Sequence, residues 1–358
     1  MPSLTDLREV VDVIIGVDTH VHTHSAAIIE TRTGGVLDEV TVEATADGYA
    51  RLVEFADEHA VLRAWAIEGT GGHGAGLARH LADREELVVE LDRPERAHRR
   101  NGAKSDPLDA VRAAREAMSR ARLGTPRAGG DRQGLSVLLA ARRSAVQASA
   151  DAQRQVFSLV IAAPEHIRDR FRGQKLLAMV RIASRLRVQG GWDVETLSTV
   201  TALRSLARRV QALTVEANEH EKAILVIVRS WRPDLLAQPG VGPIVAATVL
   251  CSWSHPGRIH SEAAFAMLAG AAPIPANSGQ VTTRHRLNRY GDRQLNRALH
   301  TIVLSRLRSH ENTREYVARR TTEGKTPREI KRCLKRYVAR DLYRLLEHRP
   351  AQTALDRP

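Results

Sequence analysis

Two short apolar stretches, each ending in a carboxylate, decide the fold. Residues 12–18 read DVIIGVD and residues 64–68 read AWAIE. Both have the length and the apolar character of buried β-strands. The first leads into Asp18 and the second into Glu68. An acid at the end of a buried strand is costly unless it is used, so these two residues are the first candidates for a functional site.

The residues around these stretches complete an alternating pattern of strands and helices. Strands at 24–30 and 36–42, joined by a Thr33-Gly34-Gly35 turn, predict an antiparallel meander with the first strand. The remaining predicted elements are a helix at 47–58, a helix at 77–82, a strand at 87–91 and a helix at 106–121. The order β-β-β-α-β-α-β-α predicts a layered α/β domain over residues 1–130.

Strand signals stop after residue 130, and residues 131–232 are predicted to be helical. A 3-4 spacing runs through positions 203, 206, 210, 213, 217, 220, 224 and 227, occupied by Leu, Leu, Val, Leu, Ala, His, Ile and Ile. This pattern is typical of a coiled-coil seam. A helix at 135–160 has a weaker seam, interrupted by Arg142 and Ser149. The alternative is that these are two helices of an ordinary bundle.

Residues 233–350 form a third, mostly helical region, and residues 351–358 are a tail. The segment Pro239-Gly240-Val241-Gly242 precedes an apolar helix, as in a helix-hairpin-helix turn that presents backbone N–H groups to a phosphate. A plain turn between helices is the alternative. Residues 270–280 are too rich in proline to be helical and are predicted to be a loop. Basic helices are predicted at 291–309 and 326–347.

Charge is distributed unevenly along the 358 residues, which carry a net charge of +13. The net charge is −6 over residues 1–130, +7 over residues 131–280 and +12 over residues 281–358. The basic part predicts a polyanionic partner, and the acidic part can hold cations. Charge that serves only solubility is the alternative.

Composition excludes several classes of protein. Apolar residues make up 43% of the chain, which argues against disorder. No apolar run approaches the roughly 18 residues of a membrane span, so no membrane partner is expected, and no signal peptide is recognised at the start. Cys251 and Cys333 are the only cysteines, which excludes a disulfide scaffold and fits a reducing cytoplasm.

Four carboxylates are predicted to form one site. Asp106 and Asp109 are three residues apart at the start of a predicted helix and so lie on one face of it. If they meet Asp18 and Glu68, the four charges repel one another unless a cation binds. Mg²⁺ prefers oxygen ligands, and two such ions can assist phosphoryl transfer. Asp106 as a plain helix cap and Asp109 as a first-turn residue are the alternatives.

Other polar residues near these acids are interpreted more simply. His20, His22 and His24 alternate after Asp18. This spacing can bind zinc on a strand, but without further ligands it favours a turn followed by a new strand. The neighbouring acids Asp12, Glu90 and Asp92 are interpreted as surface or loop residues.

An ordered set of motifs resembles the DEDD-type transposases of bacterial insertion sequences, the insertion-sequence one-hundred-and-ten family. The N-terminal motifs are Gly16-Val17-Asp18, Ile67-Glu68-Gly69-Thr70 and the stretch 104–110, KSDPLDA. The C-terminal ones are Pro239-Gly240-Val241-Gly242-Pro243, the stretch 265–273, Asn277-Ser278-Gly279 and Arg289-Tyr290-Gly291-Asp292. The resemblance covers about residues 12–347. Asn277 departs from it, since many relatives carry a second serine there.

The resemblance implies an architecture and a set of functional residues. The N-terminal domain would have the RNase H-like fold of RuvC resolvases, followed by a central coiled coil and a C-terminal transposase domain. Asp18, Glu68, Asp106 and Asp109 would bind Mg²⁺, two ions per site, with Mn²⁺ as an alternative. The sequence alone indicates that Ser278 is an ordinary turn residue. The resemblance implies that it is the nucleophile that forms a covalent serine–DNA intermediate. Nucleic-acid contacts would come from Lys104, Arg284, Arg286, Arg289, Arg293 and Arg297; a solvated basic face is the alternative for each arginine.

The resemblance also implies partners. Members of the family are guided by a structured bridge RNA that pairs with target and donor DNA. They assemble as dimers that join into tetramers, with sites composed of the acidic domain of one subunit and the serine domain of another. Two rival functions stay open. A metal-dependent junction-resolving nuclease needs the four acids but not Ser278, and a non-catalytic nucleic-acid scaffold needs neither.

Overall fold

The computed structural model describes residues 6–91, 106–120, 123–275, 285–288 and 290–348. The side chains of Asp106, Pro275 and residues 285–287 are outside this description. The chain divides into two compact units. The first comprises Met1–Gly129 with Ser254–His260, and the second Gly130–Trp253 with Ser261–Pro358.

A five-stranded mixed sheet forms the centre of the first unit. Its strands are β1 (Val13–Thr19), β2 (Thr23–Glu30), β3 (Val36–Glu43), β4 (Arg63–Glu68) and β5 (Val88–Leu91), in the order β3-β2-β1-β4-β5. Strands β1, β2 and β3 pair antiparallel, which confirms the predicted meander. Strands β4 and β5 continue the sheet parallel to β1. This topology is compatible with an RNase H-like domain.

Helices cover both faces of the sheet. They are α1 (Ala46–Asp57), α2 (Ala75–Ala82) and α3 (Asp106–Ser119), preceded by a 3-10 helix at Leu7–Glu9. Because side chains alternate along a strand, β1 supplies Ile15 and Val17 to the core under α1 and α2. The same strand supplies Ile14 to the core under α3, which is lined mostly by alanines of that helix. The predicted element order is confirmed, and with it the layered α/β class.

Gly16 lets helix α3 lie unusually close to strand β1. A Cβ at this position would overlap the carbonyl oxygen of Ala110 and lie 2.6 Å from the backbone nitrogen of Ala114. Ala114 is fully buried and presents only a methyl group to the strand. The backbones of β1 and α3 are therefore almost in contact at this point.

Over its described residues, the second unit is helical apart from two short paired strands. Its helices are α4 (Gly130–Ala162), α5 (Glu165–Arg168), α6 (Leu176–Ser184), α7 (Val194–Trp231), α8 (Pro233–Leu236), α9 (Pro243–Trp253), α10 (Glu262–Leu268), α11 (Arg293–Ser309), α12 (Glu311–Thr322) and α13 (Pro327–Glu347), with a 3-10 helix at Asp169–Phe171. Strands β6 (Pro273–Pro275) and β7 (His285–Leu287) pair antiparallel. The prediction of a loop throughout 270–280 was therefore wrong for 273–275, since prolines are tolerated in a short edge strand.

The long helices α4 and α7 pack along each other. The predicted seam of α7 is alternately buried, at Leu203, Val210, Ala217 and Ile224, and half-buried at its other positions. The N-terminal half of α7 shares its apolar core with α4 and α6, through residues such as Val156, Val180 and Leu203. The seam is thus covered by helices of the same chain over this half, and the coiled coil stays a prediction.

Arg232 ties the end of helix α7 to the end of helix α13. This arginine is buried and donates hydrogen bonds to the carbonyl oxygens of Leu345 and Leu346, at 2.8 and 3.1 Å. Asp234 accepts two further hydrogen bonds from the guanidinium, at 2.8 and 2.6 Å. The arginine lowers the pKa of the Asp234 carboxyl. The pair joins segments more than a hundred residues apart.

We expect the variant Gly16→Ala to lower the free energy of unfolding by about 1–3 kcal/mol, because its Cβ forces α3 away from β1. Gly71→Ala is the matched control, since a Cβ at Gly71 meets no atom within 4 Å. Urea denaturation of both variants checks the expectation. Equal stability of the two would contradict the close approach described above.

We expect Asp234→Asn to lower the free energy of unfolding by about 1–3 kcal/mol at pH 7, because Arg232 is left buried beside a neutral amide. The folded-state pKa of Asp234 is depressed. The stabilisation by the pair is therefore present at neutral pH and lost as pH falls below about 4. Urea denaturation at pH 7 and at pH 3 should show the difference from the wild type shrinking in acid.

The control is Asp151→Asn, which removes an exposed carboxylate paired with Arg154 on the surface of α4. Such a pair contributes at most about 1 kcal/mol. A constant gap between wild type and Asp234→Asn across this pH range would refute the assignment.

Candidate active site

Asp18 and Glu68 lie side by side at one edge of the sheet. Strands β1 and β4 are parallel, with Val17 opposite Ile67, so the next residue of each strand is Asp18 and Glu68 respectively. Alternation places both acids on the face of the sheet that α3 covers, together with Ile14 and Ala66. Both side chains are partly exposed. The prediction that these two carboxylates share an edge is therefore met by the register.

Helix α3 begins near this edge. Its residues Ala110 and Ala114 contact β1 at Gly16, while Met118, near its end, lies by Gly34 in the turn between β2 and β3. That turn is at the amino end of β1, so α3 runs antiparallel to β1. Asp106 precedes Ala110 by about 6 Å of helix, and Asp18 follows Gly16 by about 7 Å of strand. The first turn of α3 is therefore directed towards the carboxylates of β1 and β4.

Of the two predicted acids of α3, the structure describes the side chain of Asp109 but not that of Asp106. Asp109 is about a third exposed and accepts a 2.6 Å hydrogen bond from Arg112, one turn further along α3. Asp106 begins the helix, as predicted, but its side chain is outside the described part. Among the described residues no group of three or more His, Cys, Asp or Glu is arranged to hold a metal ion. The described part thus brings together Asp18, Glu68 and the start of α3.

The histidines next to Asp18 lie in a turn and in the strand that follows it, as predicted. His20 and His22 lie in the turn between β1 and β2, and His24 lies in β2. The Nε2 atom of His20 is 3.6 Å from a carboxylate oxygen of Asp18. His24 is fully buried on the opposite face of the sheet, where it stacks on Tyr49 with 5.6 Å between ring centroids. Burial lowers the pKa of His24, so it stays neutral in the core.

Glu90 was wrongly interpreted as a surface or loop residue. It lies in β5 and is largely buried, where it accepts hydrogen bonds from the Thr70 hydroxyl at 2.7 Å and from Arg258 at 3.1 Å. Arg258 belongs to the segment Ser254–His260, which joins the first unit from a distant part of the chain. The interaction was missed because its partner is 168 residues away. Asp12 is exposed, as expected, and Asp92 is outside the described residues.

Two family models match the chain. A model of DEDD-type transposases of the IS110 kind, described as "Transposase", matches residues 15–161. A second, described as "Transposase IS116/IS110/IS902 family", matches residues 234–318. The two appear in the order expected for one protein and together contain the four acids and the serine motif. The chain belongs to the IS110 family of DEDD-type transposases.

Two proteins of bacterial insertion elements are similar to part of the chain. The 42 kDa protein of insertion element IS900 from Mycobacterium paratuberculosis is 32% identical over 128 residues, which is 35% of this chain and 32% of the relative. The 43.6 kDa protein of insertion element IS110 from Streptomyces coelicolor is 28% identical over 137 residues, 38% of this chain and 33% of the relative. The matched part spans about a third of the length of these relatives.

The C-terminal residues expected from the IS110 resemblance are only partly described. Arg293 and Arg297 lie exposed on the first turns of α11, whose start is capped by Asp292. Arg286 lies in β7, and its side chain is not described. The residues outside the described part are Lys104, Ser278, Arg284 and Arg289. The structure therefore leaves the assignment of Ser278 as a prediction.

The turn at Pro239–Pro243 packs against its own unit. Gly240 has a φ of +82°, and a Cβ there would lie 3.0 Å from the carbonyl oxygen of Ile302 on α11. Val241 is buried, and Arg306 donates a 2.9 Å hydrogen bond to the carbonyl oxygen of Pro239. Gly240 thus serves the close approach of the turn to α11. Phosphate binding by this turn stays a prediction.

Carboxylate oxygens of this kind fit the divalent metal ions that DEDD transposases usually use. We expect 10 mM MgCl₂ to raise the melting temperature of the wild type and not that of the double variant Asp18→Asn/Glu68→Gln. A bound ion at about ten times its Kd adds about 1.4 kcal/mol to the stability of the folded state. Differential scanning fluorimetry, with and without EDTA, measures the shift.

Asp12→Asn is the control for this experiment, because Asp12 is an exposed carboxylate at the opposite end of β1. It should keep the wild-type response to Mg²⁺. An equal Mg²⁺ response in the double variant would rule out these two carboxylates as the metal ligands.

Proposed function

We propose that the chain is an RNA-guided DNA transposase that cuts and rejoins the strands of an insertion sequence. The observation that carries the proposal is the placement of Asp18 and Glu68 on adjacent parallel strands, on the face where α3 begins. Family membership supports the same class of reaction. Two carboxylates at one sheet edge, with two more at the start of the facing helix, suit phosphoryl transfer assisted by divalent metal.

Asp18, Glu68, Asp106 and Asp109 would hold the metal, with Mg²⁺ preferred and Mn²⁺ as the alternative. When bound, the metal supplies positive charge that stabilises the phosphate undergoing transfer. The protein contributes the geometry: Gly16 sets the distance between α3 and β1, and Arg112 restrains the carboxylate of Asp109. Metal binding at Asp109 then requires this carboxylate to leave Arg112 or to share its oxygens with it, and the Arg112 side chain is exposed enough to move aside.

Ser278 is proposed as the nucleophile. Its hydroxyl oxygen forms a bond to a DNA phosphorus, its proton passes to a base, and the bond from phosphorus to one sugar oxygen breaks as that oxygen takes up a proton. The covalent serine–DNA phosphodiester keeps the bond energy, so a hydroxyl of another strand can attack it and release the serine without net hydrolysis. Asn277 and Gly279 on either side give the serine a turn-forming context.

The basic residues are proposed to hold nucleic acid. Lys104, Arg284, Arg286, Arg289, Arg293 and Arg297 would contact phosphates near the cleaved strand. Support comes from the exposure of Arg293 and Arg297 and from the net charge of +12 over residues 281–358. A guide RNA that pairs with target and donor DNA would relieve the protein of reading base sequence, and this charge suits binding to an RNA backbone.

We further propose that the chain forms dimers that join into tetramers through the two long helices. Helices α4 and α7 expose several large apolar side chains: Val137, Val146, Phe157 and Ile161 on α4, and Val194, Leu197, Val215 and Val226 on α7. These side chains offer apolar surface that would be buried in such an assembly. A coiled coil between subunits is one way to cover them, and it would let one subunit supply the acids and another the serine.

The test is the formation of a covalent protein–DNA adduct. Purified protein is incubated with element-end DNA, the RNA encoded beside the element and Mg²⁺, then denatured and separated by electrophoresis. We expect an adduct that depends on Mg²⁺, is lost in Ser278→Ala and falls by at least about 10²-fold in Asp18→Asn. Ser309→Ala, which changes an exposed serine at the end of α11, should behave as the wild type.

The remaining outcomes identify the rival functions. Cleaved DNA without an adduct, unchanged in Ser278→Ala, would indicate a nuclease that uses water as its nucleophile. Binding of RNA and DNA without cleavage, unaffected by Asp18→Asn, would indicate a non-catalytic scaffold. Either result would overturn the proposed serine mechanism.

A further inference from the structure

A basic pocket lies between helices α11, α12 and α13, at the C-terminal end of the second unit. Its volume is about 320 Å³, and its walls include Arg306, Tyr316, Arg319, Tyr337, Arg340 and Asp341. We call it the tyrosine pocket. None of its residues belongs to the acidic site or to the arginines assigned above. Its volume lies at the lower end of the range of small-ligand sites, which suits one small, flat ligand rather than a folded partner.

Two tyrosines supply an aromatic platform. The rings of Tyr316 and Tyr337 meet edge to face, with 5.6 Å between their centroids and 84° between their planes. Such a pair fixes both rings. Tyr337 nevertheless remains 42% exposed. An exposed ring held in one orientation is available to stack on another flat group.

Arginines surround these rings. The guanidinium of Arg340 lies 5.1 Å from the ring centroid of Tyr337, and that of Arg319 lies 5.6 Å from the ring of Tyr316. Arg306 stands at the wall of the pocket, where burial lowers its pKa. Against these three cations the pocket lining provides a single carboxylate, Asp341. The pocket therefore has an excess of positive charge beside an aromatic surface.

Part of this hydrogen-bonding capacity is unused within the described residues. The Nε atom of Arg340 is buried and has no hydrogen-bond partner there; its neighbouring carboxylate, Asp341, lies 3.9 Å away, beyond hydrogen-bond distance. Arg306 directs its Nε to the carbonyl oxygen of Pro239, which accounts for one of its five donor hydrogens. Burial raises the pKa of Tyr316 to about 12, so its hydroxyl stays neutral beside an anion. These features favour a ligand that is anionic, accepts hydrogen bonds and carries a flat ring.

We propose that the tyrosine pocket binds one unpaired nucleotide of a nucleic-acid strand. The base packs on the exposed part of the Tyr337 ring, beside the guanidinium of Arg340. The adjacent phosphate accepts hydrogen bonds from Arg306, Arg319 and Arg340. Aromatic rings combined with arginines are the usual means of holding single-stranded bases without reading their sequence. A base inside a duplex is stacked on both faces and cannot enter. The inference rests on the proposed binding of nucleic acid, and extends it by assigning a site for a strand that is not paired.

The experiment measures equilibrium binding of fluorescent single-stranded RNA, single-stranded DNA and a duplex of the same sequence, in EDTA, by anisotropy. Each single strand contains one 5-bromouracil for photochemical cross-linking. We expect Tyr337→Leu to weaken binding of at least one single strand about tenfold, a typical loss for one stacked base, and to leave duplex binding within twofold. Tyr337→Phe keeps the ring and should bind as the wild type.

Arg340→Gln should weaken the same strand by a similar factor, while Arg332→Gln is the control. Arg332 is an exposed arginine on the same helix and outside the pocket, so its removal changes net charge equally.

In the wild type, light should attach the bromouracil to the peptide that contains Tyr337 or Tyr316. This cross-link tests the site even if Tyr337→Leu proves to be unfolded by circular dichroism.

The outcomes separate the sources of the strand and the two proposals. If Tyr337→Leu weakens binding of RNA alone, the pocket holds an RNA nucleotide, and if it weakens binding of DNA alone, the pocket holds a DNA nucleotide. If binding of both strands is weakened, the pocket contacts features that RNA and DNA share. Unchanged binding of both single strands in folded Tyr337→Leu, or a cross-link only elsewhere, overturns the pocket. A loss in Arg340→Gln without one in Tyr337→Leu also overturns it, since that shows a phosphate contact without stacking. No metal or cleavage is involved, so these results stand whether or not Ser278 forms an adduct.

Discussion

The contact between strand β1 and helix α3 at Gly16 is the constraint on which the acidic site depends. With no Cβ at this position, the backbone of α3 at Ala110 and Ala114 rests directly on the strand. The alanine-rich face of α3 is the complement of that glycine, since a larger side chain at Ala114 would separate the two elements. Because α3 begins one turn before this contact, its first residues are held at the edge of the sheet where β1 becomes partly exposed, at Asp18. A site composed of carboxylates from a sheet and a helix needs this fixed distance, as metal ligands tolerate little displacement.

Much of the first unit could be predicted from the sequence because its signals are local. The runs that end in Asp18 and Glu68, the Gly34-Gly35 turn and the alternation of apolar residues are each contained within a few neighbours along the chain. The structure confirms the resulting element order and places the two acids in adjacent parallel strands. What local patterns could not supply is the direction of α3, which follows from its contacts with Gly16 and Gly34.

The unpredicted features all depend on partners distant in sequence. Glu90 looked like a surface acid because nothing near it indicates Arg258, which pairs with it within the first unit. Arg232 similarly gave no sign that it would bind the last turn of α13. The seam of α7 was recognised, but a periodic pattern does not reveal whether the covering helix comes from the same chain. Here α4 and α6 cover its N-terminal half.

The tyrosine pocket shows why composition alone would have overlooked a binding surface. Aromatic residues make up only 4% of the chain, and Tyr316 and Tyr337 are separated by a turn and by basic residues typical of a solvated helix. Folding brings the two rings to 5.6 Å and places Arg340 over one of them. A guanidinium that lies on an aromatic ring is partly dehydrated, so less water must be removed from it when an anion binds. Arginines on a solvated helix face would have to lose this water on binding. In the pocket, they therefore favour a phosphate that follows a stacked base.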